Sequence, residues 1–226
     1  ALPAEVEVCA VQLPGREKRF VEPALESVDA IVERLAPVIG GHGDLPYAIF
    51  GHSLGALVGF ELVRRLRREG KPLPFRLFAS GHRAPHVPDP DPPIRHLPDE
   101  QFIEELRELN GTPQGVLDSP ELLALVLPML RADFTAAETY SYRSDAAIPC
   151  PITALGGAND DMIPLEALKE WEQHTSGDFE FHVLEGDHFF IHQRHEDVMR
   201  ILGGRIAEAL EGVAAGRGVM PPGSPA

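Results

Sequence analysis

Hydrophobic residues along the chain follow two patterns. Short runs rich in β-branched and aromatic residues predict strands, and longer segments with apolar residues three or four positions apart predict helices. The predicted strands cover residues 6–11, 48–51, 75–80, 152–155 and 179–184. Because these strands alternate with helical segments, the pattern predicts an α/β fold with a mostly parallel sheet flanked by helices.

The helical segments carry start and stop signals. Ser27 is a suitable N-cap, and apolar residues follow it at helical spacing. A second helix begins after Ser53 and ends in a basic run before Gly70, which we interpret as a solvated helix end. Further helices are predicted from Leu165 to about residue 174 and, as the closing element, over about 198–210.

The alternation of strands and helices stops after Gly81, where a proline-rich stretch begins. We interpret 82–145 as a helical insertion, or lid, over the C-terminal edge of the sheet, where open α/β sheets bind ligands. Ordinary core helices are the alternative. The whole of 1–211 is then a single domain, and 212–226 is predicted to be a disordered tail.

One helix of the insertion has a clear beginning. Ser119 is placed as its N-cap, and Pro120 occupies the first helical position. Residues 122–127 are all apolar, so we expect both faces of this helix to be covered. Pro128 should kink or end the helix.

A G-x-S-x-G motif lies between the strand at 48–51 and the helix that follows it. Ser53 is the candidate nucleophile, because this strand–turn–helix context is the one in which such a serine is exposed on a sharp bend. Side chains two residues before and two residues after the serine would collide in such a turn, and we expect Gly51 and Gly55 to prevent this. The backbone N–H of Leu54 would stabilise an oxyanion. The alternative is a helix N-cap serine with no chemistry.

Two further residues complete a candidate catalytic triad in the chain order Ser, Asp, His of α/β-hydrolases. His188 is the histidine in a loop after the last predicted strand, with Gly186 before it for a tight turn. Asp160 follows a strand directly and is the preferred acid. Asp161 is the alternative acid, whereas Asp187 adjoins the base too closely to orient it. Each acid could also be an ordinary turn aspartate.

The composition of the chain excludes several classes of protein. The 226 residues carry a formal net charge of −15, which argues against nucleic-acid binding. No apolar run has the length of a membrane span. Cys9 and Cys150 are interpreted as buried thiols in a reducing compartment, so we expect a cytoplasmic protein. The triad requires neither a metal nor a cofactor.

Four motifs together resemble type II thioesterases of polyketide and nonribosomal peptide pathways, over about residues 2–211. They are Gln12-Leu13-Pro14-Gly15-Arg16-Glu17, Gly51-His52-Ser53-Leu54-Gly55, Leu130-Arg131-Ala132-Asp133-Phe134 and Gly186-Asp187-His188-Phe189. The resemblance implies an α/β-hydrolase with a helical lid that removes acyl groups from the phosphopantetheinyl arm of acyl or peptidyl carrier proteins, and so edits stalled synthase modules. It assigns Ser53, His188 and Asp160 as nucleophile, base and acid.

The family carries a strand and a glycine-containing loop ahead of the first residue of this sequence, and that loop donates the second oxyanion N–H. We expect that these elements precede the first residue of this sequence in the natural protein.

Three apolar residues of the insertion, Met129, Leu130 and Phe134, are candidates to line an acyl pocket, with core packing as an equal alternative. Carrier proteins are usually acidic, as this chain is, so docking would need a local basic or apolar patch. Arg83 and Arg95 are the candidates for that patch.

Other readings remain open. A macrocyclising or releasing thioesterase domain and a lipase-like esterase would use the same triad. A carrier-binding module without catalysis is the non-enzymatic alternative.

Overall fold

The computed structural model describes residues 2–41 and 45–214. The chain divides into two compact units, and we describe each by itself. The sheet unit comprises Ala1–Val8, Val32–Val87 and Tyr142–Ala226, and the helical unit comprises Cys9–Ile31 and Pro88–Ser141. Residues 88–141 of the insertion predicted at 82–145 belong to the helical unit, which also includes Cys9–Ile31. Residues 215–226 of the predicted tail lie outside the described residues.

Four strands form the sheet: β1 (Ala48–His52), β2 (Arg76–Ser80), β3 (Ile152–Gly157) and β4 (Phe179–Leu184). They are hydrogen-bonded in the order β1-β2-β3-β4, and every pair is parallel. The prediction of a mostly parallel sheet is confirmed. Because parallel strands end at the same edge, residues that follow β1, β2, β3 and β4 are brought together there.

Eight α-helices are described: α1 (Val28–Ile39), α2 (Leu54–Arg68), α3 (Asp99–Glu108), α4 (Gln114–Leu117), α5 (Pro120–Glu138), α6 (Leu165–Lys169), α7 (Phe190–Gln193) and α8 (His195–Ala214). Two 3-10 helices cover Glu17–Arg19 and Glu170–His174. Both predicted N-caps are confirmed. Ser27 Oγ accepts from Ala30 N at 3.2 Å, and Ser119 Oγ accepts from Leu122 N at 3.3 Å.

The core of the sheet unit lies between α2 and the sheet. Phe60 of α2 is buried with Leu77 and Ile152 of the strands and with Trp171, whose ring meets Phe60 edge to face. A second cluster on the sheet holds the C-terminal helices through Phe190 and its neighbours. Buried apolar area of this kind is the main stabilising contribution to a fold.

The helical unit has a smaller core made of Phe102, Leu106 and Leu117. Arg131 of α5 strengthens it by lying over the Phe102 ring, 4.3 Å from its centroid, a cation–π contact. Arg16 and Asp133 form a bidentate ion pair, with N–O distances of 2.7 and 3.1 Å. This ion pair joins two of the motifs that carry the family resemblance.

The first predicted strand is wrong. Residues 6–11 form no strand, and Val8 and Val11 are 73% and 55% exposed. Backbone of strand-forming composition becomes a strand only when a neighbouring strand supplies its hydrogen bonds, and no described strand pairs with this segment. Cys9 is consequently exposed, which corrects its predicted burial, whereas Cys150 is buried as expected.

Helix α5 departs from prediction in two ways. It continues through Pro128 to Glu138 and does not end there. Leu122 and Leu125 are 47% and 50% exposed, so one face of the apolar run at 122–127 is uncovered. Helix α8 also extends through 212–214, which were predicted to belong to the tail.

The basic end of α2 is only partly solvated. Arg64 is buried, donates to Glu61 Oε1 at 2.5 Å, and lies 5.3 Å from the ring centroids of both Phe60 and Tyr142. A partner distant in sequence, Tyr142, therefore explains a burial that helix periodicity alone does not predict.

Candidate active site

The site begins at the turn between β1 and α2. Ser53 has φ 52° and ψ −122°, a strained conformation for a residue with a side chain. Its hydroxyl makes no capping hydrogen bond to α2, so the N-cap alternative does not describe its side chain. The backbone N–H of Ser53 donates to Ser80 O at 2.8 Å, which anchors the turn to the end of β2.

The two motif glycines play different parts. A Cβ on Gly51 would lie 2.0 Å from the carbonyl oxygen of Gly55, so only glycine fits at that position. A Cβ on Gly55 would meet nothing within 4 Å. The expected collision therefore involves the side chain of residue 51 alone, and the prediction for Gly55 is wrong.

Leu54 is the first residue of α2, so its N–H belongs to the first helical turn. N–H groups of that turn have no acceptor within their own helix, and they lie at its N-terminus, the positive end of the helix dipole. Such a group is suited to stabilise a developing negative charge.

Asp160 and His188 are in contact. His188 Nδ1 lies 2.9 Å from Asp160 Oδ2, and the side chains are 8% and 0% exposed respectively. The other carboxylate oxygen, Oδ1, accepts from Met162 N at 3.0 Å and from Ile163 N at 3.2 Å. Asp160 is thus held by its own turn with one oxygen while it faces the imidazole with the other.

The competing acids are placed elsewhere. Asp161 is exposed. Asp187 Oδ1 accepts from Phe189 N at 2.9 Å, so this carboxylate shapes the loop that carries His188.

Glycines allow the acid and base loops to pack closely. Gly186 has φ +126°, in the region that favours glycine, as its predicted place in a tight turn requires. A Cβ on Gly157, at the end of β3, would lie 2.4 Å from Asp187 O. Asn159 N also donates to Gly186 O at 2.9 Å. These contacts bring the end of β3 against the base loop.

His52 lies beside His188, the candidate base. Its ring centroid is 5.1 Å from that of His188, and its Nδ1 is 3.0 Å from Ser80 Oγ. Burial, together with the neighbouring imidazole of His188, lowers the pKa of His52 to about 4. His52 is therefore uncharged near neutral pH. Because His52 precedes Ser53, its contact also places the base loop next to the nucleophile turn.

Sequence reasoning missed two residues of this neighbourhood, Ser80 and Gly81. Gly81 has φ +57°, and a Cβ there would lie 2.5 Å from His52 Cε1. The available signal was a serine at the end of a predicted strand followed directly by a glycine, since the ends of parallel strands lie at the same edge of the sheet.

The predicted pocket residues lie on α5 in the helical unit. Leu130 and Phe134 pack against the core of that unit, and Phe134 meets Phe102 edge to face at 5.4 Å. Met129 is half-buried. Contact of these three residues with an acyl group stays a prediction.

Both arginines suggested for carrier docking contact other groups of the protein. Arg83 is 4% exposed and donates to Met162 O at 2.8 Å, so it does not present its charge at the surface, and that prediction is wrong. Arg95 pairs with Glu138 at 3.1 Å within the helical unit, and 20% of its side chain is exposed.

None of the helices in the described part of the chain has the length and apolar character needed to span a bilayer. Within the same residues, no group of three or more His, Cys, Asp or Glu side chains is arranged to hold a metal ion.

A parallel sheet, a strained serine between strand and helix, and an aspartate-supported histidine after the later strands define a serine hydrolase of the α/β-hydrolase class. Comparison with known proteins takes the assignment further. The family model described as the thioesterase domain matches residues 1–206, and the chain belongs to this family.

Individual relatives agree with the family. The chain is 40% identical to thioesterase PikA5 of Streptomyces venezuelae over 222 residues, which cover 97% of this chain and 78% of the relative. It is 44% identical to linear gramicidin dehydrogenase LgrE of Brevibacillus parabrevis over 214 residues, 93% and 81% of the two chains. The solved structure of the type II thioesterase BorB from the borrelidin biosynthetic cluster superposes with a TM-score of 0.79 at 37% identity, covering 86% of this chain and 79% of BorB.

These findings confirm the α/β-hydrolase fold and a hydrolase acting on thioesters. They also confirm the resemblance to type II thioesterases of polyketide and nonribosomal peptide pathways.

Proposed function

We propose that this enzyme hydrolyses acyl groups from the phosphopantetheinyl arm of acyl or peptidyl carrier proteins, with Ser53, His188 and Asp160 as its catalytic triad. The observation that carries the proposal is the buried contact of 2.9 Å between His188 Nδ1 and Asp160 Oδ2, which leaves Nε2 of the imidazole as the free base. Names of relatives from biosynthetic pathways support the carrier-bound substrate and the editing role.

In the first half of the reaction, Ser53 Oγ attacks the thioester carbonyl and His188 Nε2 takes its proton. Asp160 fixes the tautomer and stabilises the imidazolium that forms. The oxyanion receives a hydrogen bond from Leu54 N–H. Collapse of the tetrahedral intermediate breaks the carbon–sulfur bond, and His188 returns the proton to the departing pantetheine thiol.

The second half removes the acyl group from the enzyme. His188 takes a proton from water, the resulting hydroxide adds to the acyl-Ser53 carbonyl, and the free acid leaves as the proton passes to Ser53 Oγ. A thiolate leaves readily because a thiol has a pKa of about 8.5, far below that of an alcohol. Acylation by a thioester therefore demands less of the base than acylation by an oxygen ester.

Substitution of the nucleophile tests the proposal. Ser53→Ala should lower kcat for an acyl-carrier thioester by on the order of 10⁴–10⁶. Ser27→Ala is the matched control, because that serine caps α1 and its loss should affect stability by only about 1 kcal/mol. Unchanged turnover by Ser53→Ala would refute the triad.

Three comparisons separate this function from its alternatives. Matched thioester and oxygen-ester substrates distinguish a thioesterase from a lipase-like esterase. Product analysis, free acid against ring, distinguishes hydrolysis from macrocyclisation. Labelling of Ser53 by a fluorophosphonate distinguishes an enzyme from an inactive carrier-binding module.

The relative named as a dehydrogenase does not alter the proposal. Dinucleotide-dependent dehydrogenases of α/β fold bind the pyrophosphate at a G-x-G-x-x-G turn, and this sequence contains no such string. The turn after β1 instead presents Ser53.

A further inference from the structure

Asp160 alone does not fix the orientation of the catalytic base. It holds the imidazole of His188 at one atom, Nδ1. A ring held at a single nitrogen can still tilt about that hydrogen bond, and the direction of Nε2 then changes. A second contact is needed to define where Nε2 points.

His52 supplies a contact from another direction. Its ring centroid lies 5.1 Å from that of His188, with an angle of 47° between the rings. The same ring meets Phe189 at 6.0 Å and Phe190 at 5.8 Å. The His52 side chain thus packs against three consecutive residues, 188–190, which lead from the loop after β4 into α7.

His52 is itself held by the end of β2. Its backbone is in register with Ser80, and its Nδ1 lies 3.0 Å from Ser80 Oγ. Gly81 leaves room for the ring, because a Cβ at that position would approach His52 Cε1 to 2.5 Å. The position of the His52 ring is therefore fixed by van der Waals contact with the backbone at Gly81 and by its contact with Ser80 Oγ.

The charge state of His52 suits a place beside the base. Burial and the proximity of His188 lower its pKa to about 4, while Asp160 raises it and His192 lowers it further. These groups, the backbone of His188, which also raises the pKa, and Ser80 face the ring. An uncharged neighbour does not oppose the positive charge that His188 acquires when it takes the proton of Ser53.

We propose that His52 is a positioning residue of the catalytic site: its ring, anchored to Ser80 Oγ, is the wall against which the imidazole of His188 is oriented toward Ser53. This inference rests on the proposed function. It assigns no proton transfer to His52, whose Nδ1 is held by Ser80 Oγ.

A pair of substitutions tests whether the bulk of the ring at position 52, rather than its nitrogen atoms, orients the base. His52→Ala removes the wall and should lower kcat by about 10–100-fold with little change in KM, because small displacements of a catalytic group have effects of that size. His52→Phe restores a ring of similar shape and should return kcat to within about fivefold of the wild type. His195→Ala, an exposed histidine at the start of α8, is the control and should leave kcat unchanged.

A double-mutant cycle with Gly81 provides a second measurement that does not depend on the stability of one variant. Gly81→Ala alone pushes against the His52 ring and should lower kcat. When His52→Ala is also present, there is no ring to displace and only the strain of the backbone φ of +57° at residue 81 remains, so the combined loss in kcat should be smaller than the product of the two single losses. The rate of fluorophosphonate labelling of Ser53 should follow kcat through the series.

Several results would overturn the inference. They are wild-type kcat in His52→Ala, equal losses in His52→Ala and His52→Phe, and strictly additive losses in the cycle. If Ser53→Ala and His188→Ala are inactive, the proposed function holds even when one of these results overturns the role of His52. If those two variants retain turnover, the triad itself fails.

Discussion

The two units each contain a carboxylate paired with a nitrogen base, and the pairs differ chiefly in burial. Asp160 and His188 in the sheet unit are 0% and 8% exposed, whereas Asp133 and Arg16 in the helical unit are 23% and 26% exposed. Burial makes the first pair sensitive to every change of charge, because water cannot compensate for a lost partner. The second pair remains partly solvated, so its loss should be felt mainly as a small change in stability.

The largest effect should follow a change in the buried pair. Asp160→Asn preserves the shape of the side chain but favours the wrong tautomer of His188, and it should lower kcat by about 10⁴. Steady-state turnover of a carrier-bound thioester measures this loss. Asp161→Asn is the matched control, because Asp161 is exposed, and its kcat should stay near that of the wild type. A severe loss in the control with near-normal Asp160→Asn would reverse the choice of acid.

The next largest effect concerns the backbone of the nucleophile turn. Gly51→Ala would place a Cβ 2.0 Å from a carbonyl oxygen that belongs to backbone and cannot swing aside. We expect the free energy of unfolding to fall by about 3 kcal/mol or more, the upper end of the range for overpacking.

Gly55→Ala is the matched comparison for Gly51→Ala. It adds a methyl group in open space on a helix, where alanine is favoured over glycine by up to about 1 kcal/mol. Urea denaturation of both variants measures the difference, and equal destabilisation would contradict this account of the turn.

The local sequence pattern predicted the position of a residue correctly wherever the strand, helix or turn that contains the residue determines its environment. The ends of β1, β3 and β4 place Ser53, Asp160 and His188 in loops at one edge of the sheet, and parallel pairing then brings acid and base together. This is why the sequence predicts the contact between positions 160 and 188, although 28 residues separate them.

The local sequence pattern gave wrong predictions wherever residues distant in sequence determine the environment of a residue. The segment 6–11 has strand composition but no pairing strand among the described residues. Arg64 is buried because Tyr142 and Glu61 surround it. Arg83 is buried because its guanidinium reaches the carbonyl of Met162. Local sequence contains no information about such partners, so Arg64 was interpreted as part of a solvated helix end and Arg83 as part of a docking patch.

Acid should weaken the sheet unit through its buried histidines. Burial, the adjacent His86 and Arg64 together lower the pKa of His174 to about 4, and His86 Nδ1 lies 2.7 Å from His174 Nε2. In the unfolded chain, a histidine has a pKa of about 6.5, so below that pH the unfolded state binds more protons. His174 should therefore lower the free energy of unfolding progressively as the pH drops from about 6.5 toward 4.

The slope of this pH dependence reports the number of histidines whose pKa is lowered in the folded state. Each proton bound only by the unfolded state contributes about 1.4 kcal/mol per pH unit, and His52 adds to the effect of His174 because its pKa is also lowered to about 4. His174→Phe should retain the aromatic packing and reduce the slope near pH 5. His195→Ala, an exposed histidine, is the control. An unaltered slope in His174→Phe would contradict the assignment.

The smallest effect should come from the half-exposed pair of the helical unit. Asp133→Asn removes the charge but not the volume, and we expect a loss of about 1 kcal/mol or less in the free energy of unfolding. The bidentate geometry favours the upper end of that range. Arg16→Lys should lose nearly as much, because an ammonium group cannot reproduce the fork of two parallel hydrogen bonds.

Salt dependence distinguishes this surface pair from a buried one. Added salt screens partly exposed charges, so the difference between wild type and Asp133→Asn should shrink as ionic strength rises, whereas the kinetic deficit of Asp160→Asn should persist. A loss of more than about 3 kcal/mol in Asp133→Asn that salt leaves unchanged would place the pair with buried ion pairs. In that case, burial of the carboxylate would no longer explain the difference between the two units.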